Sequence, residues 1–506
     1  SIIFLDFEKA FDSLERNFMF AVLEKNNFGS YFINMIKCIY QKCSSCITNN
    51  GWNSEYFKIS RGIRQGCSLS ALLFVMSVEI LSCNIRQNAN IKGFQLPEDK
   101  IPSNLVNQNT EIKISQVADD TTIFTQDAKS TIEAIHVIEN FSKVSGLQLN
   151  MSKTEGILLK GGMQSAETLD IKWTTEPIKS LGIYFGFNKD KIQKLNWESK
   201  MDKLKRVLSV WRRRDLTLYG KSVVLKSLAL SQLYYNMSVI ETPDYIIKNI
   251  ESEIFNFLWN GKKDRIKRTC MISDYGKGGL NITDIRSQHE AFCSSWVKRL
   301  NSKDYAKWKV IPIYYLNIYF GDASLVFKMN FETIASFPYL HLIHTPTFYK
   351  NVIKCWHKAH TLYNKPTSIN EIRNEIIWGN RYILCNKTCL FMQNWIKSGF
   401  IFIDDICDPN GFLPTKTIQD RLNIKNNYLN EYKIILESLP KDWRISLKKG
   451  TRIKRTINKD SFMWNGAYYT CHDIHKISSK LVYCNLIKNK VTKCYCEHYW
   501  NSLFEQ

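Results

Sequence analysis

An aspartate at the end of an apolar run, and an adjacent aspartate pair after another, constrain this chain more than anything else in it. The first is Asp6, in "FLDFEKAFDS" (residues 4–13), and the pair is Asp119 and Asp120, in "QVADD" (residues 116–120). Between them lies "RGIRQGCSLSALLF" (residues 61–74), a turn with Gly and Gln that can lie against a nucleotide. Alone, any of these aspartates is most simply a turn or cap residue. Together on adjacent strand ends, three carboxylates repel one another unless cations screen them. Held on rigid strands, they suit two Mg²⁺ ions, which stabilise the attacking and leaving oxygens of a phosphoryl transfer.

The surrounding residues read as an α+β domain. Residues 1–6 read as a buried strand, and residues 8–26 as a helix with Phe11, Leu14, Phe18, Val22 and Leu23 near helical spacing. In residues 44–60, β-favouring runs flank Asn50-Gly51, a strong two-residue turn signal, and predict a hairpin. Residues 70–86 are apolar and lack Gly and Pro, which predicts a buried helix. Strands at 113–117 and 121–125 would put the acidic pair at the tip of a hairpin. A helix over 130–145 would end at Gly146 as its C-cap.

After residue 187 the character changes. Residues 197–208 carry Met201, Leu204 and Leu208 on one stripe, with Lys200, Lys203, Lys205 and Arg206 around it; Arg212, Arg213 and Arg214 follow. Residues 219–235 and 245–259 read as further helices. The expected organisation is an α+β domain over 1–187, a helical basic module over 188–300 and a mostly helical extension over 301–506.

Lys and Arg outnumber Asp and Glu by 69 to 47, a net charge of +22. That excess points to a polyanionic partner, nucleic acid first, against the plainer reading of solubility. Fifteen cysteines are scattered without a regular framework, which suggests reduced thiols in cytosol or nucleus. The apolar start is too short for a signal peptide, and no run of about 18 uninterrupted apolar residues predicts a membrane span. Because the chain opens inside what reads as a core strand, it reads as part of a longer protein. Cys43 and Cys46 lack a second pair nearby. Cys471, His472, His475, Cys484, Cys494, Cys496 and His498 fit no standard knuckle or finger, so zinc is not expected.

The order and wording of the three motifs resemble the palm of a reverse transcriptase, closest to the non-LTR (LINE-like) retrotransposon family. The resemblance is strong over residues 1–187 and looser to about 500. "WRRRDLTLYGKSVVLK" (211–226) resembles the thumb of such enzymes, and "FLWNGKKDRIKRTC" (257–270), "GKGGLNITDIR" (276–286) and "WIKSGFIFIDDICDPNGFL" (395–413) resemble segments downstream of it. It implies a palm with an antiparallel sheet, a helical thumb and a helical extension. It also implies RNA-directed DNA polymerisation, with Asp6 and Asp119 as principal ligands of two Mg²⁺ ions and Asp120 assisting.

Further roles follow from the same resemblance. Phe11, a core aromatic by periodicity, would also be a steric gate against the ribose 2′-OH. Gln65 and Gly66 would contact the incoming nucleotide and template, and Arg61 would contact phosphate or be plain surface charge. Lys153 would be a general acid near the pyrophosphate leaving group, against its reading as a solvated surface lysine. Leu181, Gly182 and Ile183 resemble a primer grip, and otherwise form a simple hairpin. Lys200, Lys203, Lys205, Arg206, Arg212, Arg213 and Arg214 would meet nucleic-acid phosphates. The implied partners are an RNA template, a DNA primer and dNTPs, with no membrane, in nucleus and cytoplasm. Fingers are expected upstream of Ser1, as is, in many such elements, an endonuclease of the same polyprotein. Val117 stands where the family usually has an aromatic, and Ser68 and Ala71 where many relatives have proline. Two other readings stand beside this one: a catalytically inactive nucleic-acid-binding remnant, and a group II intron maturase-like protein that shares the palm.

Overall fold

The computed structural model describes residues 1–96, 110–159, 171–302, 306–320, 325–331, 346–359, 365–422, 428–448, 461–464, 467–470, 473–488 and 490. The fold class is α+β, and the chain divides into two units. The first comprises Ser1–Glu98 with Val106–Asn196, and the second Trp197–Gln506.

In chain order the first unit begins with β1 (Ile2–Leu5), α1 (Ala10–Ser13), α2 (Arg16–Lys25) and α3 (Ser30–Gln41). Short strands β2 (Ser44–Ser45), β3 (Thr48–Asn49), β4 (Trp52–Asn53) and β5 (Phe57–Lys58) follow, then α4 (Ser68–Gln87). Next come β6 (Ile114–Val117), β7 (Asp120–Phe124), the helix Ala128–Ser145, β8 (Glu155–Ile157), β9 (Lys172–Trp173), β10 (Ile178–Ser180) and β11 (Ile183–Phe185).

The apolar run before Asp6 is the middle strand of a five-stranded sheet in the order β6-β7-β1-β8-β9. Its pairings to β7 and β8 are antiparallel, and only the edge pair β8–β9 is parallel. Alternation buries Ile3 and Leu5, whose strand partners continue into a core with Phe74, Leu81, Ile123 and Ile138. Helix α4 is long and apolar enough to cross a membrane by length and composition alone. It packs on α2 and on the Ala128–Ser145 helix, burying Leu73, Phe74, Val78, Leu81 and Ile85 as a core helix does. Asn50 and Gly51 both take positive φ, 48° and 85°, and turn β3 into β4 as expected.

The helix expected over residues 8–26 is broken into α1 and α2. Glu15 is extended, with φ −71° and ψ 125°. Backbone bonds from distant segments hold the break: Gly62 N donates to Leu14 O at 2.8 Å, and Glu15 N to Ser145 O at 2.8 Å. Residues expected to form a helix over 219–235 do so with an internal π-helical stretch, Leu225–Leu230.

In the second unit the helix Lys189–Arg212, which starts before the division, buries Trp197, Met201, Leu204 and Leu208 against the helices Ser231–Val239 and Asp244–Leu258. A second core is built around Trp356, Trp378, Trp395 and Trp443, all fully buried. Three indoles are satisfied by backbone carbonyls, Trp378 to Phe400 O at 2.7 Å, Trp443 to Pro366 O at 2.9 Å and Trp356 to Phe327 O at 3.1 Å. The segment over residues 395–413 is structural. Asp404 pairs with Arg373 at 3.2 Å, and Asp405 accepts from Ile401 N and Phe402 N. The sequence also carries a basic stretch over residues 448–459, of which all but Lys448 lies outside the described residues, as do Cys471, His472, Cys494, Cys496 and His498.

Glu375 in this core gives a testable pH dependence. Its Oε2 accepts from Asn380 Nδ2 at 2.7 Å and Asn330 Nδ2 at 3.5 Å. Burial pushes its carboxyl up to about 8, although both amides and Arg381 pull it down. A raised carboxyl binds its proton more tightly folded than unfolded, so its stabilising contribution is full below the unfolded value and is lost as pH rises through the folded one. The thermal midpoint of the second unit should therefore fall between about pH 5 and pH 9, and Glu375→Gln should flatten that fall. Parallel pH profiles for the two proteins would refute this.

Candidate active site

Asp6 directly follows β1, and both its backbone groups are held. Its carbonyl accepts from Asn150 N at 2.7 Å, and its N–H reaches Thr154 Oγ1 at 3.5 Å. Asp119 and Asp120 come from the β6–β7 hairpin, in which Val117 pairs with Asp120 across an Ala118-Asp119 turn. Ala118 has φ 55°, a left-handed conformation that costs an alanine about 1–2 kcal/mol. Strain of this kind persists where surrounding structure imposes it. Here a chain of hydrogen bonds does so: Ser82 Oγ donates to Gln116, Gln116 Nε2 to Thr121 Oγ1 at 3.0 Å, and Thr121 Oγ1 to Asp119 O at 3.3 Å.

The β1–β7 register pairs Leu5 with Thr121, so the next step of the ladder sets Asp6 beside Asp120. Asp120 carries the electrostatic signature of that crowding. Its carboxyl is raised above the ordinary range, first by partial burial and then by the charges of Asp119 and Asp6. Asp6, at the end of β1, and Asp119, in the hairpin turn, thus both lie near Asp120. Among the described residues, no three His, Cys, Asp or Glu side chains are gathered round one point in a metal-holding group. The donor chemistry nonetheless fits Mg²⁺, which takes hard carboxylate oxygens and fills the rest of its shell with water and substrate phosphate.

Lys153 lies on the loop that clamps Asp6, with its ammonium 3.9 Å from Asp6 Oδ2. The two line a cavity of about 480 Å³ together with Glu8, Lys9, Arg61, Gln148 and Asn150. Three cations line it beside two carboxylates, Asp6 and Glu8, and the excess of positive charge suits a polyphosphate. Lys9 and Asn150 escaped the sequence reading. Lys9 reaches the cavity rim from a left-handed backbone, φ 43°, that no local pattern announces.

Other expected site residues fall elsewhere. Gln65 and Gly66 are exposed in the turn before α4 and do not line the cavity. The Phe11 ring stacks on Phe74 at 4.4 Å and is half-buried, so it is at least a core aromatic. Leu181 and Gly182 form the exposed turn between β10 and β11 with φ 48° and 80°, whereas Ile183 is buried. Arg16, also missed, donates to Gly62 O at 3.0 Å and to Tyr40 O and Ile59 O at 2.9 Å, stapling the glycine-bearing turn to α2.

In the second unit, Lys203, Lys205, Arg206, Arg212, Arg213 and Arg214 are exposed and Lys200 is half-buried around the apolar stripe of their helix. One face of Trp211 is covered by the Arg214 guanidinium, 4.7 Å from the ring centre.

Comparison with known proteins decides what this geometry belongs to. Residues 1–185 match the family described as reverse transcriptase (RNA-dependent DNA polymerase). The Transposon TX1 uncharacterized 149 kDa protein of Xenopus laevis is 25% identical over 379 residues, 73% of this chain and 28% of that protein. The retrovirus-related Pol polyprotein from the type-2 retrotransposable element R2DM of Drosophila melanogaster is 25% identical over 157 residues, 31% of this chain and 14% of its own. The corresponding polyprotein from the type-1 element R2 of Popillia japonica is 21% identical over 300 residues, 56% of this chain and 40% of its own. Residues 1–185 carry a reverse transcriptase domain, and the relatives named are proteins of a transposon and of R2 retrotransposable elements. The chain spans well under half the length of these relatives. The carboxylates, the cavity and the β10–β11 turn all fall within the reverse transcriptase domain.

Proposed function

We propose that the chain is the polymerising part of an RNA-directed DNA polymerase, extending a DNA 3′-OH along an RNA template with dNTPs. The observation that carries this reading is Asp6 set beside Asp120 by the strand register, with Lys153 against Asp6 in a cavity that Lys9 and Arg61 also line. Asp6, Asp119 and Asp120 would hold two Mg²⁺ ions. Bound there, the ions supply charge stabilisation to the entering and departing oxygens.

The protein's own groups supply the rest. Lys9, Arg61 and Lys153 neutralise and orient the triphosphate in the cavity. Lys153 also stands where it can give a proton to departing pyrophosphate, since its ammonium faces both Asp6 and the cavity. The β10–β11 turn presents Leu181 and Gly182 to the primer end. The cations of the Lys189–Arg212 helix and of Arg213 and Arg214 hold the duplex by its phosphates.

The test is extension of a labelled DNA primer annealed to an RNA template, with Mg²⁺ and dNTPs. Products whose sequence follows the RNA are expected. Binding of the primer–template without any extension would favour the inactive remnant instead.

A further inference from the structure

The loop after the Asp244–Leu258 helix carries charge that the polymerase reading has not used. Residues 260–268 read Asn-Gly-Lys-Lys-Asp-Arg-Ile-Lys-Arg. Lys262, Lys263, Arg265 and Lys267 are exposed, and among the described residues none of their side chains pairs with an acid. The loop's one carboxylate, Asp264, is taken by Arg268 Nε at 2.7 Å, and the Arg268 guanidinium also lies 4.2 Å over the Phe255 ring. Four cations thus stand without a counter-charge on a nine-residue loop.

Charge runs are commonly just a solvated surface. Two features separate this loop from that case. Its start is fixed: Asn260 and Gly261 take φ 51° and 78°, Gly261 N donates to Asn256 O at 2.9 Å, and Lys262 N to Trp259 O at 3.0 Å. A buried ammonium then pins it. Lys221, only 5% exposed, donates to Leu258 O at 3.0 Å and to Asn260 Oδ1 at 2.8 Å. It places a positive charge at the carbonyl end of the Asp244–Leu258 helix, where the helix dipole favours one. The same ammonium is lowered below its ordinary range first by burial and then by the nearby Arg212 guanidinium. Lys221, bonded to the start of the loop, is therefore near enough to Arg212 to feel its charge. So dense a field of like charge, ordered rather than free to spread, is relieved by a polyanion.

We infer that the 260–268 loop is a second phosphate-binding element of the nucleic-acid surface, continuous with Arg212 and held in position by Lys221. Its ligand is the sugar–phosphate backbone of the RNA–DNA duplex, taken without regard to sequence. The inference rests on the polymerase reading and adds to it a backbone-gripping element that reading lacks.

The experiment compares three forms of the whole chain on one RNA–DNA duplex across a salt series. They are the unaltered protein, a variant with Lys262, Lys263, Arg265 and Lys267 all changed to Gln, and a charge-matched control with Lys397, Lys416, Lys441 and Lys488 changed to Gln. Every phosphate that the protein no longer neutralises should flatten the log–log salt dependence by about 0.9. The loop variant should therefore show a slope shallower by about 2 to 4, and affinity at least about tenfold weaker near physiological salt, equally on two unrelated sequences. The control should keep the parent's slope. If loop variant and control behave alike, net charge alone is at work and the inference falls while the polymerase reading stands. A loop variant unchanged from the parent has the same consequence. Absence of binding by the unaltered chain would overturn both.

Discussion

Replacing Asp119 with alanine should cut RNA-templated DNA synthesis by about a thousandfold or more, which corresponds to a loss of about 4 kcal/mol of transition-state stabilisation. The size follows from what the carboxylate does. Phosphoryl transfer needs little covalent help from a protein, so most of the rate comes from fixed charge at the reacting oxygens. Asp119 stands at the tip of a hairpin whose strain and hydrogen bonds hold it in place. Its carboxylate is exposed and accepts no hydrogen bond among the described residues, so the fold does not depend on it. Its charge in fact pushes the neighbouring Asp120 carboxyl upward. Stability of the alanine variant should thus stay within about 1 kcal/mol of the parent, as for most exposed substitutions. Single-nucleotide extension rates beside thermal melting separate the two effects. A variant that extends primer at the parent's rate would remove Asp119 from the site. One that melts much earlier would make the activity loss uninformative and show that the tip is structural after all.

What could be read from the sequence was what local chemistry decides. Asn50-Gly51 specifies a hairpin turn by its freedom at positive φ, Gly146 ends a helix for the same reason, and the short unbroken apolar run before Asp6 marks a buried strand. The carboxylates could be named because each sits next to such an element. Features imposed from far along the chain stayed hidden. Helical spacing runs unbroken through Leu14 and Glu15, yet backbone groups of Gly62 and Ser145 take their hydrogen bonds and split the helix. Lys9 was invisible as a cavity residue because its position depends on a backbone angle, φ 43°, and not on its neighbours in sequence. Nothing in the sequence announces that the Arg214 guanidinium covers one face of Trp211, three residues before it. Lys221 was one lysine among many until its burial and its two acceptors marked it.

The two glycines of "RGIRQG" look alike in sequence and should respond very differently to alanine. Both have positive φ, 82° at Gly62 and 80° at Gly66. A Cβ on Gly66 would meet nothing within 4 Å, so the backbone strain stands alone, at about 1–2 kcal/mol. A Cβ on Gly62 would lie 2.6 Å from the Asp12 carbonyl oxygen, a distance that forces backbone to move. The movement would disturb three bonds that join the turn to the segment after Asp6: Gly62 N to Leu14 O at 2.8 Å, Ile63 N to Phe11 O at 2.8 Å and Arg16 Nε to Gly62 O at 3.0 Å. Strain, clash and weakened buried hydrogen bonds together should cost about 3–5 kcal/mol, among the larger effects of a single substitution. Gly62→Ala should therefore lower the denaturation midpoint of the first unit several-fold more than Gly66→Ala does. Because the same approach holds α1 against the turn, primer extension by Gly62→Ala should also fall, even at temperatures where the variant stays folded. Equal midpoints for the two variants would mean that the approach of Gly62 to Asp12 carries no weight. The link between the carboxylate segment and the Gly62–Gly66 turn would then have to rest on Arg16 alone.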